Sequence, residues 1–279
     1  MKYYKICFPE TTCQNNSIVG ALIRRGHLVT PYCDDDYDCI WNASAFNMQW
    51  AQREKAKHPK VPIIQYVWDY YKYCHEGRHW FNWKPYAEFL KKSDKILVPS
   101  NAQKLRLKEL LGLDSEVVHT GIDIYNLVRD DKRFVLDHMR WYEEPNKRWI
   151  VDACDQQGIQ VLHPNHTFDD KMFKTTISAC TFLACGYQEA STGGLTIIEG
   201  LWNGKPTLLS DSPYMGGKDY LGEFGFYFKW DDFEDCKRKV REMFNDPPKI
   251  DLDKAQDWIR QNFTWDIMAG KIEKVIQNL

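Results

Sequence analysis

Twice along this chain, short apolar runs alternate with segments whose apolar residues recur at three- and four-residue spacing. The runs are too short for helices, and too continuous for strands with one wet face. They fit strands buried on both faces, as in parallel sheets covered by crossover helices. In the first series Lys2–Phe8, Leu28–Tyr32, Val61–Val67 and Lys95–Val98 read as strands. Ile18, Val19, Leu22 and Ile23 mark a helix that stops at Arg25-Gly26-His27. Ser100 is placed as an N-cap for a helix carrying Leu105, Leu107, Leu110 and Leu111, and Gly112 as its stop. After Thr120-Gly121-Ile122-Asp123 the rhythm restarts with strands at Arg133–Leu136, Ile159–Leu162, Thr181–Ala184, Thr207–Ser210 and Gly225–Phe228. Helices are predicted at Asn146–Cys154, Leu195–Trp202, Cys236–Phe244, Lys254–Asn262 and Asp266–Leu279. The fold class is therefore α/β, with two Rossmann-like domains facing across a cleft and a boundary near residue 125.

A chain of 279 residues, 43% hydrophobic, has enough apolar surface for two cores. Its nine cysteines form no Cys-x-x-Cys pair, so neither a zinc site nor a redox motif is signalled. The N-terminal MKYYKICFPE has no apolar h-region, and the most apolar stretch, 177–187, is too short to span a bilayer. A cytoplasmic chain is expected.

The net charge of −2 argues against a polyanionic partner, but the charges are unevenly spread. Residues 53–108 hold thirteen Lys and Arg against five Asp and Glu. Within that block, Trp68, Tyr70, Tyr71, Tyr73, Trp80, Phe81, Trp83 and Tyr86 are interleaved with cations such as Arg78. That mixture suits a phosphate backbone with unstacked bases. It also suits a membrane interface, or a solvated helix face over core aromatics.

The most informative segment is Gln188–Pro206. It leaves a strand and enters a helix through Gly193-Gly194, where backbone N–H groups can approach an anion. Glu199 follows on the same helix, placed to accept hydroxyl hydrogen bonds from a ribose whose phosphates lie at the helix start. An ordinary βαβ turn with two turn glycines would read the same way. Gly204-Lys205-Pro206 ends the helix.

In order, Arg25-Gly26-His27, Ile96–Ser100 followed by Thr120–Asp123, Gly194–Glu199 with Gly204–Pro206, and Asn262–Trp265 resemble elements of one family. These are the retaining glycosyltransferases of the two-Rossmann-domain B fold (GT-B), the family 4-like group related to glycogen and sucrose synthases. The resemblance implies an acceptor domain over 1–125, a nucleotide-sugar domain over 126–265, and a terminal helix, 266–279, crossing back to the first. It implies a UDP- or GDP-sugar as co-substrate, no obligate cofactor, no metal site, and retention at the anomeric carbon.

Residue by residue, the resemblance places Glu189, Ser191, Gly193, Gly194, Leu195, Thr196 and Glu199 against the donor. Glu199 matches the second of the family's two glutamates. The first falls on Ser191, with Glu189 two residues upstream as a substitute. Arg140 and Lys147 would oppose the donor diphosphate, though the family spaces that pair five apart rather than seven. Asp69 takes the position of an acceptor-side catalytic group. Trp68, Tyr70, His75, Arg78, His79 and Trp80 form the candidate acceptor surface. The basic block extends the reading to DNA, for example a hydroxymethylated pyrimidine flipped from the duplex. The absence of a long apolar loop favours this over a membrane-bound lipid acceptor. Saccharide and lipid acceptors stay open, as do an epimerase on the same fold and a non-catalytic nucleotide-sugar-binding protein.

Overall fold

The computed structural model describes residues 2–9, 13–68, 70, 72–77, 81–125, 132–137, 148–163, 170–185 and 195–279. The chain divides into two compact units: Met1–Asp123 with Phe263–Leu279, and Ile124–Asn262.

In the first unit the order is β1 (Lys5–Cys7), α1 (Cys13–Arg24), β2 (Leu28–Thr30), β3 (Cys39–Asn42), α2 (Met48–Lys57), β4 (Ile63–Tyr66), α3 (Lys72–His75), α4 (Lys84–Leu90), β5 (Lys95–Val98), α5 (Asn101–Leu111) and β6 (Glu116–Val117). The strands form one parallel sheet in the order β2-β1-β3-β4-β5-β6. Strand order reverses between β1 and β3. Cys39–Asn42, in no predicted strand, is fully buried beside that reversal. Ser100 caps α5 as expected, its hydroxyl accepting from the Gln103 N–H at 3.1 Å. Gly112 closes that helix in the left-handed region at φ 69°, a conformation that costs glycine least.

In the second unit the order is β7 (Val135–Asp137), α6 (Trp149–Asp155), β8 (Val161–Leu162), α7 (Asp170–Ala179), β9 (Phe182–Ala184), α8 (Leu195–Trp202), β10 (Thr207–Ser210), α9 (Gly217–Leu221), β11 (Gly225–Phe228), α10 (Phe233–Asn245) and α11 (Leu252–Asn262). Its parallel sheet runs β11-β10-β9-β7-β8, with the reversal between β7 and β9. Both sheets bury apolar side chains between strands and helices, as the continuous apolar runs require.

The terminal helix α12 (Trp265–Gln277) belongs to the first unit and packs along α1. Six of its apolar side chains are buried: Trp265, Met268, Ala269, Ile272, Val275 and Ile276. At roughly 2 kcal/mol for each large side chain, this seam outweighs any surface ion pair. Thr264 caps the helix by accepting from the Ile267 N–H. Just before it, the Ile122 N–H donates to the Phe263 carbonyl at 2.8 Å. A Cβ on Gly121 would fall against the Thr264–Trp265 backbone, so only glycine lets the two segments approach this closely.

One polar cluster fixes the seam. Glu273 on α12 accepts from Arg25 Nε at 2.5 Å and Nη2 at 2.8 Å, and lies 2.7 Å from His27 Nε2. The His27 side chain is buried, and its Nδ1 accepts from the Tyr4 N–H. Hydrogen bonding from Arg25, and then from His27, holds the Glu273 carboxyl below its ordinary range. A carboxyl so lowered contributes stability above its unfolded-state value, and that contribution is lost as pH falls through the folded-state value. Glu273→Ala is expected to cost about 2 kcal/mol at neutral pH in urea unfolding, because it strands a partly buried guanidinium and a buried ring N–H. The difference from wild type should shrink as the buffer is taken below the carboxylate range. A difference unchanged from about pH 7 to about pH 3 would contradict this assignment.

Candidate functional site

In open parallel sheets, ligands bind beyond the carboxyl ends of the strands, where strand order reverses. In the second unit that place lies at the ends of β7 and β9. α8 follows β9 and presses on it: Ile197, Ile198, Gly200, Leu201 and Trp202 are buried. A Cβ on Gly200 would collide with the Leu183 side chain of β9, so this glycine permits the close packing. What remains half-exposed on α8 is Leu195, Thr196 and Glu199, a stripe at i, i+1 and i+4 on one side of the helix. Of the sequence-predicted donor residues, these three are the described ones. Glu189, Ser191, Gly193 and Gly194 lie outside the described residues, as do Arg140 and Lys147.

Lys205 is not available to a ligand. It is 3% exposed, and its Nζ donates to the Cys180 carbonyl at 3.0 Å, tying the end of α8 to the start of β9. Gly204 before it takes the left-handed conformation at φ 71°.

The carboxyl end of β7 carries residues that sequence reasoning passed over. Asp137, the last residue of β7, is 1% exposed. Its Oδ2 lies 3.1 Å from Nδ1 of His163, which follows β8. His163 Nε2 in turn lies 3.1 Å from Nη2 of Arg148, which precedes α6. No sequence signal could have joined three residues spread over 27 positions. The pairing of β7 with β8 brings Asp137 beside His163, and the start of α6 adds Arg148.

In the first unit the reversal lies at the ends of β1 and β3. A fully buried amide pair stands there: Asn42 Nδ2 donates to Gln65 Oε1 at 2.6 Å, and Gln65 Nε2 donates to the Tyr86 hydroxyl at 2.9 Å. Ser17 of α1 donates to Asp123 Oδ2 at 3.4 Å, joining the Thr120–Asp123 segment to the first helix.

The candidate acceptor residues are distributed unevenly. Trp68 is half-buried, edge-on to Tyr66 with centroids 4.9 Å apart. Tyr70 is 1% exposed, packed edge-on to Trp83 at 5.9 Å, with its hydroxyl 3.2 Å from Nδ1 of the exposed His75. Burial pushes the Tyr70 phenol up to about 12. Trp83 and Tyr86 are buried as well, so three of the five aromatics with described side chains in this block belong to the core. Asp69, Arg78, His79 and Trp80 lie outside the described residues.

The basic block is partly neutralised within the unit. Lys55 pairs with Asp94, Lys57 with Glu54, Lys91 with Glu88, Lys95 with Glu116 and Lys108 with Asp114. Among the described residues no group of three His, Cys, Asp or Glu could hold a metal ion. No helix among them is long and apolar enough to cross a membrane.

Comparison with known proteins agrees with this architecture. Residues 20–125 match the model of Glycosyltransferase Family 4. Sucrose-phosphate synthase from Thermosynechococcus elongatus superposes with a TM-score of 0.71 at 12% identity, covering 100% of this chain and 99% of its own. Anabaena Alr3699/HepE, solved in complex with UDP and glucose, gives 0.73 at 12% identity, covering 99% of this chain and 100% of its own. The apo form of the lipopolysaccharide outer core galactosyltransferase WaaB gives 0.69 at 13%, with full coverage of both chains. A search of curated proteins by sequence found no match. The chain thus has the GT-B fold, and within its first unit residues 20–125 are similar to Glycosyltransferase Family 4.

Proposed function

We propose that this chain is a retaining glycosyltransferase that moves a sugar from a nucleotide diphosphate sugar to an acceptor hydroxyl. The observation that carries the reading is α8, standing after β9 at the reversal of the second sheet with Leu195, Thr196 and Glu199 left half-exposed. The GT-B fold over the full chain supports it, as does the binding of UDP and glucose by Alr3699/HepE on that fold.

In this reading the nucleotide lies beyond the carboxyl edge of the second sheet, and Glu199 accepts the ribose hydroxyls. The acceptor oxygen bonds to the anomeric carbon from the side on which the bond to the diphosphate breaks. The departing phosphate oxygen takes the hydroxyl proton. Cations near the diphosphate stabilise the charge that develops there. Arg140 and Lys147 keep the diphosphate role that their resemblance implies, and Asp69 the acceptor-side role.

The acceptor we favour is a saccharide hydroxyl. Five lysines of the basic block already face carboxylates, and Tyr70, Trp83 and Tyr86 are buried in the core. Both features leave less cation and ring surface for a DNA duplex than the sequence of the block promises. Sucrose-phosphate synthase and WaaB, by their names, act on saccharides.

Incubation with UDP-glucose, UDP-galactose and GDP-mannose, each with a panel of saccharide acceptors and with hydroxymethylated duplex DNA, tests this directly. Release of UDP or GDP with the sugar recovered on a saccharide, the anomeric configuration unchanged by NMR, is the expected result. Labelled DNA would overturn the acceptor assignment, and inversion would overturn the mechanism. A second expectation concerns Glu199→Ala. Losing a carboxylate that accepts ribose hydroxyls should weaken nucleotide binding by roughly tenfold or more, with the unfolding temperature little changed. Wild-type affinity in that variant would remove Glu199 from the site.

A further inference from the structure

We propose that Arg148 is a phosphate-binding cation of the donor site, and that Asp137 and His163 are positioning residues that aim it. The inference rests on the donor reading above and extends it to residues that no family resemblance assigns.

A guanidinium donates hydrogen bonds and accepts none. In the 3.1 Å contact between Arg148 Nη2 and His163 Nε2, the ring nitrogen must therefore accept. The ring proton then sits on Nδ1, where it donates to Asp137 Oδ2 at 3.1 Å. The chain of donors runs one way, from Arg148 to His163 to Asp137. A carboxylate 1% exposed is costly unless hydrogen-bonded, and this one holds the imidazole in a single tautomer and orientation.

Two features argue that Arg148 is not there for the fold. It occupies the N-cap of α6 and makes no side-chain capping bond. A cation at the positive end of a helix is also disfavoured, whereas Ser, Thr, Asp or Asn would stabilise that start. Among the described residues, no carboxylate pairs with Arg148. Only one edge of its guanidinium is used by His163, which leaves further N–H donors for an oxyanion.

The location matches the role. Asp137 ends β7, the strand at which order reverses, and His163 follows the neighbouring β8. A pair of N–H donors held beyond these strand ends suits a diphosphate, which carries more charge and more acceptor oxygens there than a monophosphate.

Calorimetric titration of the full chain with UDP, GDP and their monophosphates tests the proposal. Wild type is expected to bind one of the diphosphates more tightly than its monophosphate. Arg148→Ala should lose about tenfold in diphosphate affinity, and Arg148→Lys should recover part of it. His163→Ala, at a side chain 40% exposed, should stay folded and lose several-fold. In the double variant the His163 effect should vanish, because His163 acts only through Arg148. Additive losses would overturn the positioning role. An Arg148→Ala affinity within about twofold of wild type would overturn the phosphate contact. Failure of the wild-type chain to bind either diphosphate would overturn the donor reading itself, and the proposal with it.

Discussion

Everything in this chain depends on keeping parallel strands dry on both faces. A parallel pair cannot be joined by a tight turn, so each strand needs a crossover, and the crossovers must cover the sheet. That requirement fixes the helices, and it sends each strand-to-helix loop to the carboxyl edge. Where strand order reverses, between β1 and β3 and again between β7 and β9, neighbouring loops part to opposite faces of the sheet. Polar groups can gather there without interrupting a ladder. Asn42 and Asp137, the last residues of β3 and β7, stand at those two places, each paired on the side away from the reversal, with Gln65 of β4 and with His163 after β8.

The elements were legible wherever their apolar pattern was long or cleanly punctuated. Thr207–Ser210 and Gly225–Phe228 were read to the residue, as was Leu195–Trp202. Ser100 and Gly112 marked both ends of α5, because a hydroxyl cap and a left-handed glycine are local devices. Cys39–Asn42 was missed for the opposite reason. It is only four residues long and follows the acidic stretch 34–38, yet it is a central, wholly buried strand. Tertiary position decided its state, and local composition pointed elsewhere. α2, Met48–Lys57, was missed similarly: it buries only Met48, Ala51 and Glu54, a thin stripe in a charged sequence.

The candidate site was legible in part, and the division is physical. α8 announced itself through its glycines and its apolar face, and Glu199 came with it. Asp137, His163 and Arg148 carry no spacing that a sequence reader can use, because a strand pairing and a helix start assemble them. The basic block shows a different limit of reading along the chain. Counting charges along the chain cannot reveal that Lys95 meets Glu116 across neighbouring strands, or that Lys108 meets Asp114 past the end of a helix. Nor can an aromatic count separate Tyr70, buried against Trp83, from a ring offered to a ligand.

In the function proposed, a nucleotide sugar binds beyond the carboxyl edge of the second sheet. Hydrogen–deuterium exchange of the whole chain, with and without UDP-glucose or GDP-mannose, tests it most directly, since it reads the location of binding and not its consequence. Added protection is expected at the ends of β7 and β8 and along the first turns of α8, within the second unit. Protection confined to the first unit, or none with any nucleotide sugar, would contradict it.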